Sequence, residues 1–330
     1  MRRTRVLLIV LLLAAAAVGI SAAGPAAAQT IPIGVWQGVD DLDGSVVTVA
    51  LDEDATTGLP LFFLYDSKHE ECGGQQGAAF GGGWEPVSGE PLWHVYYEGV
   101  YCLDGTFVPE TQGENYYELI ASPEGTILNI LTFDQAYGAP GGVQAFPLCR
   151  PDIDVEFEIP AGWTLIEGTN GPDTINASKG NNIICGYGGD DKIWGRGGDD
   201  VIIGDLGEDE LYGNNGMDIL WGGPDEDVLY GGFHTDGVFG NCDEDEVRPQ
   251  AGHDFGYGGN DDDILDGFFG HDTLVGGPGD DDAWGRNGND DLYGESGDDF
   301  LSGGAGPRDA AYGGDGSDTC NAETETDCEF

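Results

Sequence analysis

The sequence predicts an all-β chain: a small antiparallel β-meander or barrel over residues 29–160, then a parallel β-solenoid over 161–321 with a short tail at 322–330. Three observations carry this. A nine-residue repeat runs from Gly168 to Asn321. Each repeat holds one large aliphatic residue with a neighbour on either side, which is the pattern of a very short strand. Residues 29–160 lack the repeat and instead carry short β-rich runs between turn signals.

The repeat is read in register from Gly186-Tyr-Gly-Gly-Asp-Asp-Lys-Ile-Trp194 and Gly195-Arg-Gly-Gly-Asp-Asp-Val-Ile-Ile203. It makes 17 units, with one ten-residue unit near Pro307-Arg308. Position six is Asp in 16 units and Asn182 in the other. Position one is Gly except at Ala177 and Pro249, and position four is Gly in 13 units. Position eight is mostly aliphatic, as at Ile193, Leu211, Leu229 and Leu274.

These columns resemble the RTX, or haemolysin-type, calcium-binding repeat GGxGxDxUx, which implies a parallel β-roll with calcium between stacked loops. The chemistry agrees with the residue types. Calcium takes six to eight oxygen ligands from carboxylates and carbonyls, and glycine lets a loop turn its carbonyls inward. The candidate ligands are Asp173, Asp191, Asp200, Asp209, Asp218, Asp227, Asp236, Asp254, Asp263, Asp272, Asp281, Asp290, Asp299, Asp309 and Asp318. Asp245 shares the column but stays outside this set. Two units make one turn of 18 residues, so alternate loops stack on opposite edges. Nine loops on one edge and eight on the other admit at most about 15 Ca2+ ions between loops. With strands about 4.8 Å apart the rod is roughly 40 Å long. The best sites are expected in 186–227 and 267–299. The stretch 231–266 is the least regular, with His234, Asp243 and Asp261 in place of Gly and Gly256 in place of an aliphatic.

Position nine is often aromatic. Trp194, Tyr212 and Tyr230 stand 18 apart, as do Trp221, Phe239 and Tyr257. Cross-strand ladder packing explains them; the alternative is an aromatic platform for a sugar or polymer. His253 and His271 share the same 18-residue spacing.

The amino-terminal region offers strands at 34–38, 45–51, 61–65, 93–97, 116–120 and 126–132. Gly34-Val35-Trp36 followed by Asp43-Gly44-Ser45 is similar to the first strand of lipocalin-like barrels. That resemblance implies an apolar pocket and names no ligand.

Acidic residues outnumber basic ones 62 to 11, for a net charge of −51. A compact state so charged repels itself, so bound cations are the natural remedy. Nucleic acid and anionic membrane surfaces are disfavoured partners. Residues 1–28 read as a cleavable secretory signal: Arg2, Arg3 and Arg5, then an apolar run to Ile20, then Ala26-Ala27-Ala28 before Gln29. No other segment is apolar enough to span a bilayer, and a secreted, extracellular protein is expected. Outside the cell cysteines pair. Sequence leaves the pairing open: Cys320 and Cys328 are close neighbours and could close the terminal cap, Cys72 with Cys102 could staple the first domain, Cys149 with Cys185 could tie the two domains together, and Cys242 is then the odd one out. Neither a His-Glu-x-x-His nor a Gly-x-Ser-x-Gly motif occurs, so no catalytic residue is assigned. The leading function is non-catalytic calcium binding with the roll folding on extracellular Ca2+. The alternative is a ligand-binding or adhesion protein whose barrel holds a glycan, lipid or protein partner.

Overall fold

The structure is a computed structural model. It describes residues 159–328 throughout, Cys149, and the backbone of eleven strands between Gly34 and Pro147. Among the described residues every regular element is a β-strand. The signal-like residues 1–28 lie outside the described set.

Six amino-terminal strands match the expected runs: Gly34–Asp40, Val46–Glu53, Pro60–His69, Trp93–Tyr96, Tyr116–Ala121 and Leu128–Thr132. Five more were not expected, among them Gln75–Gly82 and Gly141–Pro147. Those two are rich in glycine and alanine, which give little β-propensity signal, and the other three are only three or four residues long. Neighbours pair antiparallel, so Trp36 sits opposite Val49 on one side and Pro147 on the other. The expected closure of this sheet into a barrel falls outside the described residues.

From Thr164 to Thr326 the chain winds into a solenoid with two parallel walls. The first wall has ten strands, from Thr164–Glu167 to Thr324–Thr326. The second runs from Thr174–Asn176 to Thr319–Asn321. Register follows the 18-residue turn: Ile184 pairs with Ile202 in the first wall, Ile193 with Leu211 in the second. The winding therefore extends one strand beyond the 17 units at each end. Those two strands lie outside the repeat columns: neither is preceded by the Asp that every repeat unit but the one with Asn182 carries.

The core is a single file of position-eight side chains. Ile184, Ile193, Ile202, Leu211, Leu220, Leu229, Val238 and Val247 are fully buried between the walls, and the file continues to Ala311. Each strand buries one aliphatic residue and turns its two neighbours outward, as a period of two requires. Gly256 interrupts the file, but the gap is closed. A Cβ there would stand 2.9 Å from Leu274 Cδ2, 3.2 Å from Val247 Cγ1 and 3.3 Å from Pro249 Cγ. Two departures from the repeat, Pro249 and Gly256, thus compensate each other.

Disulfides join Cys149 to Cys185 and Cys320 to Cys328, while Cys242 is exposed and takes part in neither. The Cys72–Cys102 pairing falls outside the described residues.

Leu220→Ala should destabilise the roll by about 2–5 kcal/mol, the usual result of emptying a core site. Gly256→Ile restores the repeat's own aliphatic, yet should destabilise by about 1–3 kcal/mol through overpacking. Denaturant midpoints in calcium test both; a raised midpoint for Gly256→Ile would show a true vacancy there.

Candidate metal centre

Every corner of the roll turns in the same way. Position two has positive φ in each unit from Tyr187 to Gly314, whether it holds glycine or Tyr187, Arg196, Asn214, Gln250, Phe268 or Glu295. Position four repeats this at Gly189, Gly198 and Gly207, and Asp225, His234, Asp243 and Asp261 adopt it in place of glycine. A non-glycine residue in this region is strained by about 1–2 kcal/mol. Asp and Asn tolerate it best. Position two was not expected as the left-handed column, because its side chains vary freely.

Glycine at position one serves a different need. A Cβ on Gly231 would stand 2.6 Å from the Pro249 carbonyl oxygen and 2.7 Å from Asp236 Oδ2. On Gly267 it would stand 2.6 Å from Asp272 Oδ2 and 3.1 Å from the Gly285 oxygen. The absent side chain leaves a small cradle lined by a carboxylate and by a carbonyl of the next turn.

The position-six residues form two continuous ladders, one on each edge. Each carboxylate turns Oδ1 toward the turn before it and accepts the backbone N–H of its counterpart there. Asp191 N–H donates to Asp209, Asp209 to Asp227 and Asp227 to Asp245, at 2.7–2.8 Å. On the other edge Asp200 donates to Asp218, Asp218 to Asp236 and Asp236 to Asp254, again at 2.7–2.8 Å. The ladders cross the irregular middle without a break, through Asp245 to Asp263 and Asp254 to Asp272. They continue through Asp281, Asp290, Asp299, Asp309 and Asp318.

The second oxygen is the notable one. Oδ2 of Asp191, Asp200, Asp209, Asp218, Asp227, Asp236, Asp245, Asp254, Asp263, Asp272, Asp281, Asp290, Asp299 and Asp318 is buried with no hydrogen-bond partner. Such groups are rare, because an unpaired buried polar atom forfeits its hydration. Asp173 differs: its Oδ2 accepts from the Thr169 N–H and hydroxyl at 2.7 and 2.8 Å.

Three features of the ladders were missed from sequence. Asp245 is placed like its neighbours although it lay outside the candidate set. Asn182 heads one edge and donates its amide to Asp200 Oδ1 at 2.7 Å. Glu323 closes the same edge by accepting the Asp309 N–H at 2.9 Å. Asn182 was visible as the column's one exception. Glu323 was hidden because it lies 14 residues after Asp309, outside the nine-residue phase.

A second ladder runs one residue upstream and in the opposite sense. Asp280 N–H donates to Asp262 Oδ1 and Asp298 N–H to Asp280 Oδ1, both at 2.8 Å. His271 N–H donates to His253 Nδ1 at 3.0 Å, and the two rings stack 4.9 Å apart as their spacing predicts.

Electrostatics follow from burial and stacking. Burial raises Asp200 and Asp209 to about 7, Asp281 to about 8, and Asp227, Asp245 and Asp263 to about 9. Asp218, Asp236, Asp254 and Asp272 are held well above the usual carboxylate range, by burial first and by the neighbouring carboxylates of the ladder second. Near the carboxy-terminal end Asp290 and Asp299 reach only about 6. Without cations the ladders favour protons.

The donor set fits a hard divalent cation. It is made of carboxylate and carbonyl oxygens without sulfur or imidazole, on which calcium rather than a softer metal binds. The Oδ2 atoms are aimed into cradles that a single Cβ would fill. Residues 161–193, 186–211, 212–245, 250–283 and 276–307 match the family model of the RTX calcium-binding nonapeptide repeat. Residues 161–307 thus carry repeats of the RTX calcium-binding type, wound as a parallel β-roll. No curated protein matches the chain.

These shifts set a pH dependence with a definite sign. The folded pKa values lie above the unfolded value of about 3.9, so their contribution to ion-free stability is complete below about pH 4. It is lost as pH rises through the folded values, about 6 to 9. In chelator, strand content should therefore grow as pH falls from 9 to 5, and in calcium it should change little. Asp227→Asn should strengthen the ion-free roll at pH 9 and weaken its calcium affinity. Circular dichroism across pH reads both; an ion-free roll that melts on acidification would refute the ladder electrostatics.

Proposed function

We propose that the chain is a secreted, non-catalytic calcium-binding protein whose roll folds when it meets extracellular calcium. The observation that carries this reading is the double column of buried, unpartnered Oδ2 atoms. A cation supplies the missing partner and cancels the mutual repulsion of the carboxylates. Because calcium binds the folded roll and not the unfolded chain, it stabilises folding by mass action.

In this reading the ligands are the candidate aspartates of both ladders together with Asp245. Asp173 and Asp309 stand near the ends. Eight ladder bonds on each edge, counting those to Glu323 and from Asn182, give one more inter-loop step than the 17 units allow. Secretion rests on the signal-like residues 1–28, and the disulfides are of the kind formed outside the cell. Among the described residues no helix is long and apolar enough to cross a membrane.

The aromatic faces give little support to a sugar platform. Trp194, Tyr212 and Tyr230 stack on one another at 5.4 and 4.7 Å with nearly parallel planes. Their ring faces are consumed by each other, and Lys192 and Arg248 sit over what is left. Ladder packing accounts for them.

Extracellular modules bind calcium at about 10⁻⁴–10⁻³ M, so a titration across that range at pH 8 should take the roll from loose to strand-rich. Full strand content in chelator would end the proposal. Replacing Asp191, Asp209 and Asp227 together by Ala should lower the number of bound ions measured by metal analysis. An unchanged number would refute those ligand assignments.

A further inference from the structure

The two walls of the roll differ on their outer faces. Positions seven and nine point outward in both. In the second wall these residues, such as Lys192, Trp194, Tyr212, Val228 and Tyr230, remain half-exposed. In the first wall they are apolar and buried: Ile183 and Phe239 are 0 % exposed, Val201 and Ile219 1 %, Phe255 and Tyr257 2 %. They form one continuous cluster that also includes Ile203 and Val275. A solenoid cannot bury its own outer face, so the burial of this one calls for a cover. The buried cluster spans the strands from Asn182–Gly188 to Thr273–Pro278. On the next strand of this wall Tyr293 is partly buried against the same cluster.

We infer that this apolar outer face is the docking surface for the chain's own amino-terminal antiparallel sheet. Continuity of the chain points to that occupant. Cys149, two residues after the strand Gly141–Pro147, is bonded to Cys185, and Cys185 is itself a member of the buried outer face. Ile159 and Trp163 on the connecting segment pack on the same cluster. The last amino-terminal strand is therefore tethered at the edge of the patch. Left bare, several strands of contiguous apolar surface would be an aggregation liability; an antiparallel sheet with one apolar face is its natural complement. Resting on the calcium reading, the inference has a consequence: the platform exists only once the roll is wound, so calcium also seats the amino-terminal sheet.

Two measurements test it. Hydroxyl-radical footprinting of the intact, disulfide-bonded chain in calcium should label Phe239, Phe255 and Tyr257 about tenfold more slowly than Tyr212 and Tyr230. Equal labelling would overturn the proposal. In a Cys149→Ser/Cys185→Ser chain with a protease site placed within 150–158, the two cleaved parts should co-elute in calcium as one monomer-sized particle. Adding Phe239→Asp and Phe255→Asp should separate them, and adding Tyr230→Asp should not. Parts that separate in calcium while the roll stays strand-rich, or a patch protected only in a dimer, would also overturn it. Parts that stay together in chelator with the roll still wound would support the docking and count against the calcium reading instead. If the serine variant does not fold, the footprint of the intact chain decides.

Discussion

Carboxylates one turn apart, buried along each edge of the roll, are the constraint on which the rest depends. At a spacing of about 4.8 Å and an effective dielectric constant of about 20, two adjacent negative charges repel by about 3 kcal/mol. Many such neighbours in a row cannot all be ionised without countercharge. Protons can supply neutrality, less and less as pH rises through the raised carboxylate range of about 6 to 9. Cations supply it at neutral pH and also occupy the Oδ2 atoms that no protein group reaches. Glycine at position one follows from this, since only hydrogen fits beside the carboxylate and the next turn's carbonyl. The left-handed corners follow as well, because they turn carbonyls toward the same cradles.

Much of this was legible in the sequence because the chemistry tolerates no substitute. An Asp that must both accept a backbone N–H and offer a free oxygen cannot drift to another residue, so its column survives every irregularity around it. The left-handed position two left no trace, since its side chains point away and only the backbone is constrained. Tyr187, Arg196 and Arg286 use that freedom to reach back to Glu167, Asn176 and Asp266 on the preceding turn. The middle stretch looked weak for the same reason. Gly256 reads as a missing core residue until Pro249 is seen filling its place, a compensation between non-neighbours that no repeat alignment reveals. In the amino-terminal region, strands rich in glycine and alanine were overlooked because pairing, not propensity, makes them.

The walls teach a related lesson. Position eight is fixed by the core, so both walls read alike there. The outward positions report what each wall faces. Stacked rings under Lys192 and Arg248 make a wall that meets water, while Phe239, Phe255 and Tyr257 make one shut off from it. The position-nine aromatics form a similar series on both walls, and only their burial separates a ladder from an interface.

The closing step from Asp309 to Glu323 is shorter than a full turn, and the Cys320–Cys328 bond locks the chain just beyond it. A stack of near-identical turns has no intrinsic length: each new turn presents the same edge as the last. Here the final strand, Thr324–Thr326, offers three exposed polar side chains and no cradle glycine to a would-be successor. The arrangement works as a stop signal written in geometry. An edge of this kind gives a further turn neither the carboxylate cradle nor the apolar file on which the earlier turns stack.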